Sequence, residues 1–285
     1  MRFNRRNYIP RGTKMTYDGG LCFPLWRIAN MDQTPLPFEY LCGRTYACKG
    51  DETVWAKSIR SGWDKRQATL VLTVFADGIP YVKPDIFFKG TDNPALQESY
   101  YGEERKHYDP RVDVHFNKKG YCNEGTTVKY ITEKLVPAFT SCRCNLPVQV
   151  TVETTSKDSE PQPRACQCQE LGKAGLIALD AAKFHRTALV KETLARHSIT
   201  PSLIPGGTTG LIQVVDVCIN RSFKTMLKDV MDETIDGLGE EAFLWLDDAS
   251  ESAVGRRRVL MTRAVGEAWE RVSAMIQVTV TLVNS

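Results

Sequence analysis

Ala174-Gly175-Leu176-Ile177-Ala178-Leu179-Asp180 is the stretch on which the fold turns. It is apolar until its last residue, which is a carboxylate. A short unbroken apolar run of this kind reads as a strand covered on both faces. Helical spacing follows over His185 to His197, with Leu189, Thr193 and Leu194 on one stripe. A second short strand is expected at Pro201–Pro205, then a flexible Gly206–Gly210 loop. A long amphipathic helix begins at Val214, marked by Val215, Ile219, Phe223, Leu227 and Val230. Strand–helix alternation implies parallel pairing through crossover helices.

The N-terminal half reads differently. Gln67 to Ala76 is the clearest strand, and Asp77-Gly78 after it is a turn signal. Tyr81-Val82 and Ile86–Phe88 continue the sheet, with Pro84 marking an edge or a break. Trp26 to Met31 reads as a strand running into Asp32, after which Pro35 and Pro37 are expected to stop regular structure. Thr53–Lys57 is a further candidate strand. Residues 90–111 read as a long loop, and Val112–Phe116 alternates like a strand. Glu124 to Phe139 carries Val128, Ile131, Leu135 and Val136 on one helical stripe. Residues 140–169, rich in Cys, Pro, Ser, Thr and Gln, read as an inserted loop with an isolated strand at Val148–Val152. The end of the chain predicts a helix over Arg263–Ile276 and a strand over Val278–Val283 with no evident place in the core. The expected fold class is α/β: a mixed sheet flanked by helices, antiparallel early and parallel late.

With 37 Lys+Arg against 34 Asp+Glu in 285 residues, the net charge is only +3, so bulk charge makes no case for nucleic acid. Placed charge does. Arg2, Arg5, Arg6, Arg11 and Lys14 form a basic arm without an acid, and Arg256-Arg257-Arg258 is a second knot. Either reads as a phosphate contact or as a solvated face. No apolar run reaches about 18 residues, so no membrane span is expected. The first residues do not resemble a secretory signal, and nine cysteines are an odd number, which favours reduced thiols. Cys142-Arg143-Cys144 and Cys166-Gln167-Cys168 read as unliganded loop cysteines or as a zinc site, although Cys-x-Cys departs from the usual zinc spacing.

Three acids stand where chemistry collects in an open α/β sheet. Asp32 follows the first strand, Asp180 ends the apolar run, and Asp216 opens the long helix. Converging carboxylates repel one another unless cations lie between them, and oxygen-only sites select Mg²⁺ or Mn²⁺. Two such ions can activate water and stabilise the leaving oxygen of a phosphodiester. Each acid also has a bland reading as a helix cap or turn residue. Asp77 competes for the first place, but Gly78 beside it makes a hairpin turn the better account. His185 either touches the site or opens its helix. Trp55 and Trp63 read as base-stacking or sheet-packing aromatics.

The matching motifs are N-M-D-Q-T-P-L at 30–36, S-G-W-D-K-R-Q-A-T at 61–69 and A-D-G-I-P-Y-V-K-P at 76–84. With them stand L-I-A-L-D at 176–180 and I-P-G-G-T-T-G-L-I-Q-V-V-D-V-C-I-N-R-S-F-K at 204–224. On these the chain resembles the catalytic domain of pogo/Tigger transposases, the DDE superfamily endonucleases related to mariner-like transposases and centromere protein B. The resemblance spans roughly residues 26–235. It implies an RNase H-like fold there; charge and composition set off a basic arm at 1–25 and a Cys-rich insertion at about 140–170, and the tail at 236–285 diverges. It implies that Asp32, Asp180 and Asp216 are catalytic and hold two Mg²⁺ or Mn²⁺ ions for cleavage and transfer of a DNA strand. It places Gln213 and Lys224 beside the third acid, near phosphate; Arg5 and Arg6 of the basic arm are further candidate nucleic-acid contacts by their charge. DNA as partner, a homodimer and a nuclear location follow from the same resemblance.

Three departures qualify it. Val214 and Val215 stand between Gln213 and Asp216 where the family has Pro-Leu, which loosens a preorganised helix entry. No helix-turn-helix module precedes Asp32, and the last residues diverge. The expectation is therefore either a DDE-type enzyme or a truncated, catalytically inactive relic that binds DNA or protein.

Overall fold

The computed structural model describes residue 23 and residues 25–37, 67–141, 174–207, 213–238 and 251–284. Six strands form one sheet: β1 (Ile28–Pro37), β2 (Gln67–Phe75), β3 (Asp85–Lys89), β4 (Asp113–Asn117), β5 (Gly175–Asp180) and β6 (Ile199–Ile204). Their spatial order is β4-β3-β2-β1-β5-β6. β1–β2 and β2–β3 are antiparallel, whereas β3–β4, β1–β5 and β5–β6 are parallel. This is the mixed α/β sheet expected, an antiparallel meander continued by parallel strands.

The parallel joins are made by helices. α1 (Pro94–Arg105) links β3 to β4. Between β4 and β5, α2 (Glu124–Tyr130) passes through a π-helical turn (Ile131–Leu135) into α3 (Val136–Thr140). A 3₁₀ turn (Lys183–Arg186) and α4 (Ala188–Arg196) link β5 to β6. A second π-helical turn (Val215–Ile219) then leads into α5 (Asn220–Leu238), and α6 (Glu251–Asn284) closes the chain.

Side chains alternate across a strand, so each face has its own core. Ala29, Met31, Val71, Phe75, Phe87, Ile177 and Leu179 pack with Ile131, Leu135, Phe139, Val190 and Leu194, from α2–α4 and the first π turn. Leu36, Leu70, Leu72, Ile86 and Phe88 face the other way, onto Phe223, Leu227 and Val230 of α5 and Met261, Val265, Ala268 and Trp269 of α6. The spacing of three and four along α5 and α6 puts one stripe of each helix on that face.

Four expectations differ from the structure. β1 runs through Pro35 and Pro37, which pair with Thr69 and Gln67. The pairing with β5 ends at Asn30–Ala178, so the far side of β1 is an edge there, where a residue without N–H is tolerated. The stretch 90–111 contains α1, which buries none of its residues. Its signal was a cap rather than a stripe: Asn93 Oδ1 accepts from the Ala95 amide at 3.0 Å, with Pro94 following. Tyr81-Val82 is irregular, and the sheet resumes at Asp85. Val278–Val283 is helical, the end of α6. Its β-branched residues favour a strand only weakly, and a helix anchored upstream in the core carries them along.

That anchor is extensive. Arg258 grips both carboxylate oxygens of Glu104 on α1, at 2.7 and 2.5 Å. Arg111 reaches Glu267 at 2.9 Å, and the Asp109 amide donates to Thr262 Oγ1 at 3.1 Å. α6 therefore shares the core of the preceding sheet. Thr53–Lys57 and Val148–Val152 lie outside the described residues.

Candidate functional site

Asp32 lies inside β1, not at its end. It shares an even position with Leu36 and so faces α5. On β5, Ile177 and Leu179 face α2–α4, which turns Ala178 and Asp180 toward the α5 side. Ile28, Ala29 and Asn30 pair in register with Leu176, Ile177 and Ala178. Continued by two residues, that register sets Asp32 level with Asp180 on the same face.

Asp32 is buried, with 7% of its surface exposed. Its Oδ1 accepts from Gln213 Nε2 at 2.7 Å and its Oδ2 from Asn220 Nδ2 at 2.9 Å. Asn220 was not singled out from the sequence. The available signal was its spacing, one helical turn after Asp216. Gln213 is wholly buried beneath Asp32, not on a surface that a phosphate reaches. This corrects its expected role as a nucleic-acid contact. The backbone of Asp216 lies in the π turn between these two amides, and its side chain is outside the described residues. Single π turns of this kind recur at functional sites.

Asp180 is half-buried and receives His185 Nδ1 at 2.6 Å. That hydrogen bond from His185 holds the Asp180 carboxyl below the usual carboxylate range, against the opposing effect of burial. His185 is itself buried, and its Nε2 has no hydrogen-bond partner among the described residues. It lies inside the 3₁₀ turn Lys183–Arg186 and does not open the helix, which starts at Ala188 behind the Thr187 cap; of its two readings, contact with the acid is the one seen.

The donor set suits a hard divalent cation. Two carboxylates share a face, and Gln213 Oε1 is a buried oxygen with no hydrogen-bond partner among the described residues. Among the described residues no three His, Cys, Asp or Glu side chains converge as a ready-made cage.

Other candidates fall elsewhere. Asp77 is a turn residue: its Oδ1 accepts from the Ile79 amide at 3.2 Å and its Oδ2 from Tyr81 Oη at 2.5 Å, beside Gly78 at φ 79°. Of the 256–258 knot, Arg257 is buried and Arg258 is held by Glu104 in the α6 anchor, whereas Arg256 is exposed. Lys224 is partly exposed on α5, two turns past residue 216. Arg5, Arg6, Trp55, Trp63 and the two Cys-x-Cys pairs lie outside the described residues.

No family model matches the chain, and no curated protein matches it. A solved structure, the Mos1 transposase paired-end complex with left transposon end, is similar at a TM-score of 0.40 and 12% identity. The similarity covers 89% of this chain and 56% of that one, so the chain spans little more than half the length of that transposase. Among the described residues no helix is long and apolar enough to cross a membrane.

Proposed function

We propose that this chain is a transposase-type nuclease of the DDE class, cleaving and transferring a DNA strand at Asp32, Asp180 and Asp216. The observation that carries the reading is that Asp32 and Asp180 each stand two residues past the last paired position of β1 and β5, Asn30–Ala178, with Gln213 and Asn220 hydrogen-bonded to Asp32. The pogo/Tigger resemblance of the motifs supplies the reaction class.

In this reading Asp32 and Asp180 bind from adjacent parallel strands, and Asp216 approaches from the helix that lies over them. Two Mg²⁺ or Mn²⁺ ions, when bound, supply an activated water and stabilise the leaving oxygen of a phosphodiester. Gln213 and Asn220 orient Asp32, and His185 orients Asp180. Lys224, with Arg5 and Arg6 of the basic arm, would approach the DNA backbone as point charges. A homodimer and a nuclear location belong to the same reading.

Incubation of the purified chain with duplex DNA and Mn²⁺ or Mg²⁺ tests it. The wild type is expected to nick DNA, and Asp180→Asn to abolish nicking with the fold intact. A folded wild type that binds DNA without nicking it in either metal would favour the relic reading. Nicking that survives Asp180→Asn would remove the assigned site.

A further inference from the structure

Three buried carboxamides tie the acid-bearing segments together. Asn30, two residues before Asp32, donates through Nδ2 to the Ala178 carbonyl at 3.1 Å, two residues before Asp180. Its Oδ1 accepts the Val215 amide at 2.9 Å, one residue before Asp216. Gln213 and Asn220 bracket Asp216 in sequence and donate to opposite oxygens of Asp32. Gln213 Nε2 also reaches the Met31 carbonyl at 3.4 Å. Each segment that carries an acid is thus joined to another by a side-chain amide.

We infer that Asn30, Gln213 and Asn220 are positioning residues, a carboxamide brace that sets the spacing of the three acid-bearing segments before any cation binds. The inference rests on the reading of the three acids as one metal site. Its chemistry is specific. A carboxamide donates and accepts at once, so Asn30 can bridge a carbonyl and an amide N–H. It is also neutral, so it orients a carboxylate without cancelling its charge, as Lys or Arg would. An aliphatic side chain at Asn30 would leave a buried backbone N–H without its acceptor. Fixing both oxygens of Asp32 in advance spares the reorganisation that a loosely held ligand would need.

Gln213→Met removes the donor at similar volume, and two measurements on the full chain follow. Amide hydrogen exchange reports docking of the 214–220 backbone, and Mn²⁺ calorimetry reports the site. The brace predicts at least tenfold faster exchange over 214–220 with β2 and β3 unchanged, and Mn²⁺ affinity lower by about 10–100-fold. Lys191→Gln, at an exposed position of α4, should move neither. Unchanged exchange overturns the brace whatever the metal does. Faster exchange with unchanged Mn²⁺ affinity also overturns it, because the amides then serve stability alone. A wild type that binds no Mn²⁺, with or without DNA, removes the metal site, and the exchange result then decides the brace alone. If Gln213→Met does not fold, Asn220→Leu, which removes the other amide donor to Asp32 at similar volume, is read in the same way.

Discussion

Asp32 and Asp85 are both buried carboxylates of one sheet, and they are held by opposite means. β2 lies between their strands: Leu72 pairs with Asp32, and Val71, its neighbour, pairs with Asp85. The two acids therefore sit one residue apart in level, on opposite faces. Asp85, 2% exposed, takes the Lys134 ammonium and His115 Nε2, the latter at 2.7 Å. Lys134 also bonds Asp113 at 2.6 Å, and His115 stacks on Phe87 at 4.8 Å. Burial and the Asp85 charge push the nearby Cys122 thiol up to about 12, which leaves it inert as a nucleophile. Asp32 instead takes neutral amide donors from Gln213 and Asn220. An ion pair satisfied within the protein is an architectural feature, whereas amides orient a carboxylate and leave its charge in place. Residue type and burial are alike at the two sites, so the partners carry the distinction.

The contrast is most exposed to failure at Lys134. Lys134→Met strands Asp85 as a buried charge, and should cost about 3–5 kcal/mol in urea denaturation. A loss below that of Gln213→Met would break the contrast. Gln213→Met itself removes a neutral donor from a charged acceptor and is expected to cost about 1.5–3 kcal/mol. Asp109 sharpens the comparison, since it is buried yet paired to a more exposed cation. Burial raises its carboxyl, but the Arg111 guanidinium and amide outweigh this and hold it below the usual range. A carboxyl lower in the folded than the unfolded state stabilises above the unfolded value and loses that contribution as pH falls through the folded one. Asp109→Asn should therefore cost about 1 kcal/mol near neutrality. The gap to wild type should close as pH falls below the unfolded value near 3.8 and through the lower folded one, as denaturation curves at stepped pH would show. The smallest stability effect is expected at Asp32→Asn. A flip of the Gln213 amide offers its Oε1 to the new donor, so the change should stay within about 1 kcal/mol. Mn²⁺ binding should nevertheless be lost in calorimetry.

Much of this was legible in the residues. The apolar run into Asp180, the clear β2 and the long stripe of α5 carry their own periodicity, and they mark the fold as a mixed α/β sheet. Asp77-Gly78 announced its turn. α1 was missed because a helix with no buried residue leaves no stripe, only a cap. The strand expected at the C-terminus failed because local β propensity is weaker than continuation of a docked helix. At the site, the acids at 32 and 180 stood out by position. Asn30 and Asn220 did not, since amides carry no periodic signal, and for His185 contact with the site was only one of two readings.

The sequence by itself therefore determined the class of fold and the acids that end or interrupt its apolar runs, because burial patterning is local and repeats along each element. Tertiary structure alone decided which buried carboxylate received a cation and which received amides. Lys134 reaches Asp85 across 49 positions, and Gln213 reaches Asp32 across 181. Such pairings depend on which helix face lies over which strand, and that is settled only when the two faces of the sheet are covered.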